Sequence, residues 1–355
     1  MTGVFLHILL LPLYLISLLY CALVKLRILL YSCGIFETRS AGRKVISVGN
    51  LTVGGTGKTP AVELIVRKLL ARGFKVVVVS RGYGGKSRAE VGVVSNGQKL
   101  LMSPAEAGDE PYMLARKLRD VPVLVGSNRF KVCSYALTEF DPDYFILDDG
   151  YQHIQLKRDV NILLVDGELG FGNRFIFPRG PLREPLSGMN RADIVLVNKF
   201  PKKGNAELVL RIEKARPGLP VFKSSYRPEA LVSLNSREEA GIDKLDGARV
   251  CALSAIADPS SFSSLLISLG AVVQMDRIFA DHHRFTVDDM EKVLKEADQQ
   301  DVSMIIMTEK DAVKMEGLDI VSRIPIFYLA ITLDMGLQED SFIETIKARA
   351  EAGIN

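Results

Sequence analysis

The chain reads as an α/β protein: a mostly parallel sheet with helices on both faces, a smaller second α/β unit, and an apolar helix ahead of both. Three observations carry that reading. A Gly-rich loop lies between a β-branched run and a helical pattern within residues 45–70. Short, continuous apolar runs then alternate with helical periodicity, as in strands buried on both faces of a parallel sheet. A long uncharged stretch precedes residue 25. With 355 residues, 48% hydrophobic and 25% charged, the chain can bury a sizeable core, and its length suits two domains.

The uncharged stretch comes first. Val4 to Val24 is 21 positions without Asp, Glu, Lys or Arg, about 31 Å of helix at ~1.5 Å per residue and long enough to cross a hydrocarbon core. Met1-Thr2-Gly3 carries no Lys or Arg, and Tyr20 before Cys21 is too large for a lipoprotein cleavage site, so a removable signal is disfavoured. Lys25, Arg27, Arg39, Arg43 and Lys44 follow, which places the rest of the chain on the cytoplasmic side. Residues 1–40 are therefore expected to form a membrane-associated segment. Pro12, His7, Tyr14 and Ser17 leave spanning and interfacial helices both open, and a helix buried against the body is the alternative.

The loop comes next. Val45-Ile46-Ser47-Val48 reads as a strand and Ala61 to Leu70 as a helix, with Gly49-Asn50-Leu51-Thr52-Val53-Gly54-Gly55-Thr56-Gly57-Lys58-Thr59-Pro60 between them. A Gly-rich loop at a helix N-terminus aims backbone N–H groups at phosphates. The Lys reaches the β/γ oxygens and the next hydroxyl holds Mg²⁺. Thr52, Val53, Gly54, Gly55, Thr56, Gly57, Lys58 and Thr59 are thus the expected ATP-binding residues, although the strict P-loop pattern wants Gly where Thr52 stands. The sheet is accordingly expected to be of the P-loop NTPase type.

Further strands are expected at Lys75 to Ser80, Pro122 to Val125, Tyr144 to Leu147, Val160 to Val165 and Ile194 to Val197. Asn96-Gly97 marks a hairpin between Val91-Gly92-Val93-Val94 and Lys99-Leu100-Leu101. Pro201 to about Arg227 is rich in charge and Pro, with a helix over Asn205 to Lys214, and the domain boundary is set at its end. This makes residues 41–227 the nucleotide domain and 228–355 the smaller one. In the latter, strands are expected at Val250 to Leu253, Ala271 to Val273, Ser303 to Met307 and Ile326 to Ala330, and helices at Ser260 to Leu269 and Val287 to Glu296.

Polar clusters punctuate these elements. Tyr144-Phe145-Ile146-Leu147-Asp148-Asp149 is an apolar strand ending in two acids, the form of a Mg²⁺-side partner to a P-loop. In Gly108-Asp109-Glu110-Pro111, chemistry alone favours a helix cap at Asp109 or Glu110. Asp281-His282-His283-Arg284-Phe285 places two adjacent His side chains that diverge in extended backbone, which disfavours a shared metal and suits one of them, paired with a carboxylate, as general base. Phe177-Pro178-Arg179-Gly180-Pro181-Leu182-Arg183 and Ser80-Arg81-Gly82-Tyr83 are basic loops suited to a phosphate or sugar. The net charge of +3 and the absence of any nucleic-acid-reading motif argue against a nucleic-acid partner. Cys21, Cys33, Cys133 and Cys251 form no C-x-x-C pair, which fits a reducing compartment and implies neither a disulfide framework nor a zinc ribbon.

Taken together, G-N-L-T-V-G-G-T-G-K-T-P, R-G-Y-G, G-D-E-P, V-P-V-L-V-G-S-N-R, L-D-D-G-Y-Q-H, P-R-G-P-L-R-E-P, D-H-H-R-F and T-E-K-D-A-V-K resemble the tetraacyldisaccharide 4′-kinases of lipid A biosynthesis. The motifs extend over nearly the whole chain in the family's order. The resemblance implies transfer of the ATP γ-phosphoryl group to the 4′-hydroxyl of an acylated glucosamine disaccharide 1-phosphate at the cytoplasmic face of the bacterial inner membrane. It implies ATP and Mg²⁺ as cofactors, the lipid and the bilayer surface as partners, and no protein partner. It also implies roles: Lys58 on the β/γ-phosphates, Thr59 and an acid of the Asp148-Asp149 pair on Mg²⁺, Asp109 as base and His282, rather than His283, orienting it. Arg81, Tyr83, Arg129, Arg179 and Arg183 are the implied substrate-binding residues. A membrane-positioning ATPase is disfavoured by Val53 where its signature Lys would stand. A GTPase is disfavoured by Pro201 where Asn198-Lys199 would need an Asp to read guanine. The third rival is an adaptor that hydrolyses ATP without a phosphorylated product.

Overall fold

The structure, a computed structural model, describes residues 11–201, 204–281 and 283–352. Two sheets organise it. The first contains β1 (Lys44–Asn50), β2 (Val76–Ser80), β3 (Gly92–Asn96), β4 (Pro122–Val125), β5 (Tyr144–Asp148), β6 (Val160–Asp166), β7 (Ile194–Asn198) and β8 (Val221–Lys223). They lie in the order β3-β4-β2-β5-β1-β6-β7-β8, all parallel except the edge strand β3. Val, Ile and Leu dominate these strands because both faces are covered. Helix α2 (Lys58–Leu70) packs with α4 (Asp109–Lys117) over one face, and α5 (Arg129–Phe140) covers the other. The single turn α3 (Pro104–Ala107) leads into α4.

Strand order positions the chemistry. β1 lies between β5 and β6, with Val48 in register with Asp148. The loop after β1 therefore emerges beside the two acids after β5, at the carboxyl end of the sheet, where parallel α/β sheets bind ligands. The expected strands of this sheet are all present. The Asn96-Gly97 turn is also found, closed by Asn96 Oδ1 accepting from the Gln98 and Lys99 amides. Its second limb makes only an isolated bridge, Ser95 to Leu100.

The second sheet comprises β9 (Ser225–Ser233), β10 (Glu239–Ala240), β11 (Arg249–Ser254), β12 (Val272–Ile278), β13 (Met304–Thr308) and β14 (Ile326–Asp334). Its order is β10-β9-β14-β13-β11-β12. Ser224 alone separates β8 from β9, so the chain passes from one sheet to the other without a linker. Helices α6 (Ala206–Ala215), α7 (Pro259–Ser268), α8 (Val287–Gln299) and α9 (Glu309–Lys314) fall where side-chain caps start them. Asn205, Asp258, Thr286 and Thr308 each accept a hydrogen bond from the residue three positions on.

Two features depart from the sequence reading. Strand β9 was masked by Arg227 and Pro228, which read as loop. It pairs antiparallel with β14 nonetheless, and the register shifts at Ala330/Ile331, opposite Pro228, where no amide is available to donate. The last helix, α10 (Glu339–Ala352), follows the second sheet in sequence but buries Phe342, Ile343, Ile346 and Ala350 in the core of the first.

Helix α1 (Leu11–Ser32) stands largely outside both cores. Only 6% of its most apolar window is buried, while Leu15, Ile16, Leu19 and Leu23 are exposed. The alternative of a helix buried against the body is thereby overturned. Ser17 stitches it to the globular part by donating to the Ile176 carbonyl at 2.8 Å and accepting from the Arg179 amide at 3.0 Å. Residues 4–10 of the apolar run lie outside the described residues.

Phe342 is fully buried and meets Phe222 edge-on, with ring centroids 5.2 Å apart. Phe342→Ala should lower stability by about 3–5 kcal/mol, the usual cost of an aromatic cavity. A shift in the urea midpoint of the detergent-solubilised protein checks this; a midpoint unchanged from the parent would place α10 outside the core.

Candidate active site

The loop after β1 is held open by its neighbours. The Val53 amide donates to the Pro181 carbonyl and the Arg183 amide to the Leu51 carbonyl, each at 2.7 Å. Thr52 and Leu182 form an antiparallel bridge within this ladder. The basic Pro-Arg-Gly-Pro-Leu-Arg segment is thus a strap along the phosphate loop. On the other side Asn198 Nδ2 donates to the Thr56 carbonyl at 3.0 Å. Gly57 precedes α2 with φ +83°, and a side chain there would start 1.9 Å from Asn198 Nδ2. No side chain caps this helix start, so its amides face the space where phosphates bind.

Lys58 extends from the first residue of α2. Its Nζ lies 3.5 Å from Asn50 Oδ1 and 3.7 Å from Asp149 Oδ1. Asp149 also accepts from Arg183 Nη1 at 2.8 and 2.9 Å. Burial raises the Asp149 carboxyl, but Lys58 and Arg183 outweigh it and hold the group below the usual carboxylate range. Asp148 differs. It is buried at the end of β5, accepts from Ser80 Oγ at 3.2 Å through Oδ2, and its Oδ1 has no partner. Burial, with Glu110 and Asp149 nearby, pushes its carboxyl up to about 7 against the opposing effects of Lys58 and Ser80.

A buried carboxylate oxygen without a donor is costly. A cation would answer it: the Asp148 Oδ1 atom and the Thr59 hydroxyl, itself buried at the start of α2, are hard oxygen donors of the kind that would suit Mg²⁺. Among the described residues no group of three His, Cys, Asp or Glu side chains could cage a metal alone.

Asp109 is the first residue of α4, whose next residue, Glu110, acts on Asp148, and Gly108 takes the cap position. The cap that chemistry alone favoured at Asp109 or Glu110 is therefore not formed. The Arg81-Gly82-Tyr83 loop packs on the same turn, and a Cβ at Gly108 would come within 2.4 Å of the Tyr83 carbonyl oxygen, so only Gly fits. Beneath this loop lies a basic cluster. Arg129 is buried with Nε unpartnered, as are His153 Nε2 and Arg158 Nε and Nη1. Burial and the neighbouring guanidiniums push His153 down to about 3, and burial with Arg81 pushes Arg129 down to about 10. Arg27 of helix α1 reaches the edge of the cluster, donating to the Gln152 carbonyl at 3.3 Å.

Lys58, Thr59, Asp148, Asp149, Arg183, Arg129 and Arg81 are thus gathered in one region, while Tyr83 and Asp109 belong to the neighbouring turn where Gly108 packs on the Tyr83 carbonyl. Arg179 is elsewhere: its guanidinium stacks on Phe175 with 4.7 Å to the ring centroid, next to the Ser17 stitch. His282 lies outside the described residues. His283 is engaged, with Nε2 3.0 Å from Asp289 Oδ2 and its ring stacked on Phe279. Sequence reasoning missed Asn50, Gln152 and Asn198 as loop supports. Asn198 sits in the pair set aside as a failed guanine reader, and its position at a strand end beside the loop was the available signal.

Known proteins resemble this chain over nearly its whole length. The model of the tetraacyldisaccharide-1-P 4′-kinase family matches residues 6–351. A tetraacyldisaccharide 4′-kinase of Desulfatibacillum aliphaticivorans is 38% identical over 348 residues, covering 96% of this chain and 92% of its own length. One from Syntrophus aciditrophicus is 39% identical over 326 residues, covering 89% of this chain and 87% of its own. Among solved structures, LpxK from Aquifex aeolicus in complex with ATP superposes with a TM-score of 0.75 at 32% identity, covering 97% of this chain and 99% of that one. Matched from before its first described helix to within its last, the chain belongs to the tetraacyldisaccharide-1-P 4′-kinase family.

Proposed function

We infer that this protein is an ATP-dependent lipid kinase that transfers the γ-phosphoryl group to the 4′-hydroxyl of a tetraacylated glucosamine disaccharide 1-phosphate, a step of lipid A biosynthesis. The observation that carries the reading is the juxtaposition of an open phosphate loop, an acidic pair with one member fully buried, and a basic cluster at the foot of an apolar helix. A lipid substrate and a nucleotide meet there.

In this reading the amides of residues 54–59 and Lys58 seat the β- and γ-phosphates. Thr59 and Asp148 would hold Mg²⁺, which neutralises charge on the transferring group. Asp149 is kept ionised by Lys58 and Arg183, so it fixes the ammonium without accepting a proton. Asp109 takes the proton of the sugar hydroxyl. His282 orients Asp109; the engagement of His283 by Asp289 supports this choice between the two neighbours. Arg129 and Arg81, with His153 beside them, form the seat for the anionic end of the sugar, where the guanidiniums would gain a phosphate as acceptor. Arg183 supports the strap through Asp149, and Tyr83 lines the sugar's approach. Arg179, beside α1, meets the lipid at the membrane edge.

Residues 41–227 carry the nucleotide chemistry, and 228–355 supply the second wall of the cleft before α10 returns to the first core. Helix α1 holds the protein on the bilayer, and the cations that follow it keep the site on the cytoplasmic face. Each acyl CH₂ left in the membrane is worth about 0.8 kcal/mol, so an attached enzyme need not extract its substrate.

With γ-labelled ATP and an acylated glucosamine disaccharide 1-phosphate in detergent, labelled lipid should form with the parent and disappear with Lys58→Ala. Free labelled phosphate without labelled lipid would favour an ATPase. Asp109→Asn should cut kcat by roughly 10²–10⁴-fold, as for loss of a general base, while ATP affinity measured by equilibrium binding stays within a few-fold. Full turnover in that variant would remove Asp109 from the chemistry.

A further inference from the structure

Helix α4 begins with Asp109 and ends with Lys117, and its polar side chains near both ends cross to other elements. At its start, Glu110 pairs with Lys310 of α9 at 3.6 Å. At its end, Arg116 donates to Tyr328 Oη at 2.8 Å and to Glu316 at 3.1 Å. Lys117 sits deepest. Its Nζ is 2.7 Å from Glu63 of α2, 3.0 Å from Glu309 at the start of α9, and 3.2 Å from the Ile331 carbonyl of β14. The two glutamates are buried and Lys117 is nearly so. Arg67 completes the junction, holding Glu63 at 3.0 Å and donating to the Lys117 carbonyl at 3.2 Å.

We propose that Lys117, with Glu63 and Glu309, is a positioning residue for phosphoryl transfer, locking the helix that carries Asp109 to the helix that carries Lys58 and Thr59, and both to the second sheet. This rests on the reading of Asp109 as base. Three charges out of water are a poor source of stability compared with apolar packing of the same shape. What they supply is direction, because one ammonium satisfying two carboxylates and a carbonyl from three different elements admits one arrangement of those elements. The lever is long. Lys117 lies eight positions beyond Asp109, about 12 Å along the helix, and Glu63 four beyond Thr59, about 6 Å. A small tilt at the junction therefore moves the base relative to the phosphates, and about 1 Å of misplacement can cost 10²-fold in rate.

The test is steady-state kinetics on the full chain in detergent with ATP and the acylated disaccharide 1-phosphate. Variants are Lys117→Met, Lys117→Arg and the neutral, shape-conserving triple Glu63→Gln/Lys117→Met/Glu309→Gln. The expected result is a kcat lowered about 10- to 100-fold in Lys117→Met and in the triple variant, a KM for ATP within about 3-fold of the parent, and partial recovery in Lys117→Arg. In an Asp109→Asn background Lys117→Met should cost nothing further, since the positioned group is gone. Parental kcat in the folded triple variant overturns the proposal. So does a fall in kcat matched by an equal rise in KM for ATP, or full additivity with Asp109→Asn, because each describes general loosening. If Asp109→Asn alone retains full turnover, the reading of the base fails; if it is inactive while Lys117→Met is not, only the positioning role fails.

Discussion

Helix α2 starts where no side chain fits. The space beside Gly57 is filled by Asn198 Nδ2 and Tyr226 Oη, and these two groups hydrogen-bond each other at 3.1 Å. Asn198 ends β7, Tyr226 belongs to β9, and Asn198 also grips the Thr56 carbonyl. One amide side chain thus sets the phosphate loop against both sheets. The left-handed turn at Gly57 leaves the first amides of α2 uncapped, and Lys58 is aimed back toward Asn50 and Asp149. Exposing those amides is tolerable because the loop cannot relax: the strap of residues 181–183 secures its other edge.

The electrostatics follow from that placement. Two adjacent acids in one turn shift in opposite directions because their partners differ. Asp149, in the left-handed region at φ +50°, turns toward Lys58 and Arg183 and stays charged. Asp148 points into the sheet end, where Ser80 satisfies one oxygen and the other is left bare. The uneven pair suits a site that accepts a cation and a polyanion together, since an acid already neutralised by Arg would compete poorly for the metal.

Legibility in the sequence tracked how local the determining force was. The buried strands, the loop and the two acids were readable because continuous β-branched runs and a Gly-Lys-Thr signature declare themselves within a few residues. β9 was not, since Arg227 and Pro228 look like loop and their pairing with β14 is set by a partner about a hundred residues away. α10 was missed because its apolar positions are sparse and its burial is created by the first sheet. Asp109 illustrates the limit at the site: an acid ahead of a Pro reads as a cap, and only the Gly108 backbone, pressed on Tyr83, makes it the first helical residue. Arg179 and Arg183, alike in sequence, part ways because one stacks on Phe175 and the other meets Asp149.

Helix α1 carries two fixed marks, Ser17 tied to the Ile176 carbonyl and Arg27 tied to the Gln152 carbonyl beside His153. They are ten positions apart, about 15 Å along the axis. For such a helix seated in a bilayer, this makes it a ruler as well as an anchor. Its depth would set the height at which the basic pocket meets the headgroup plane, and its azimuth would decide which way the cleft opens. An enzyme so mounted would search for substrate in two dimensions rather than three.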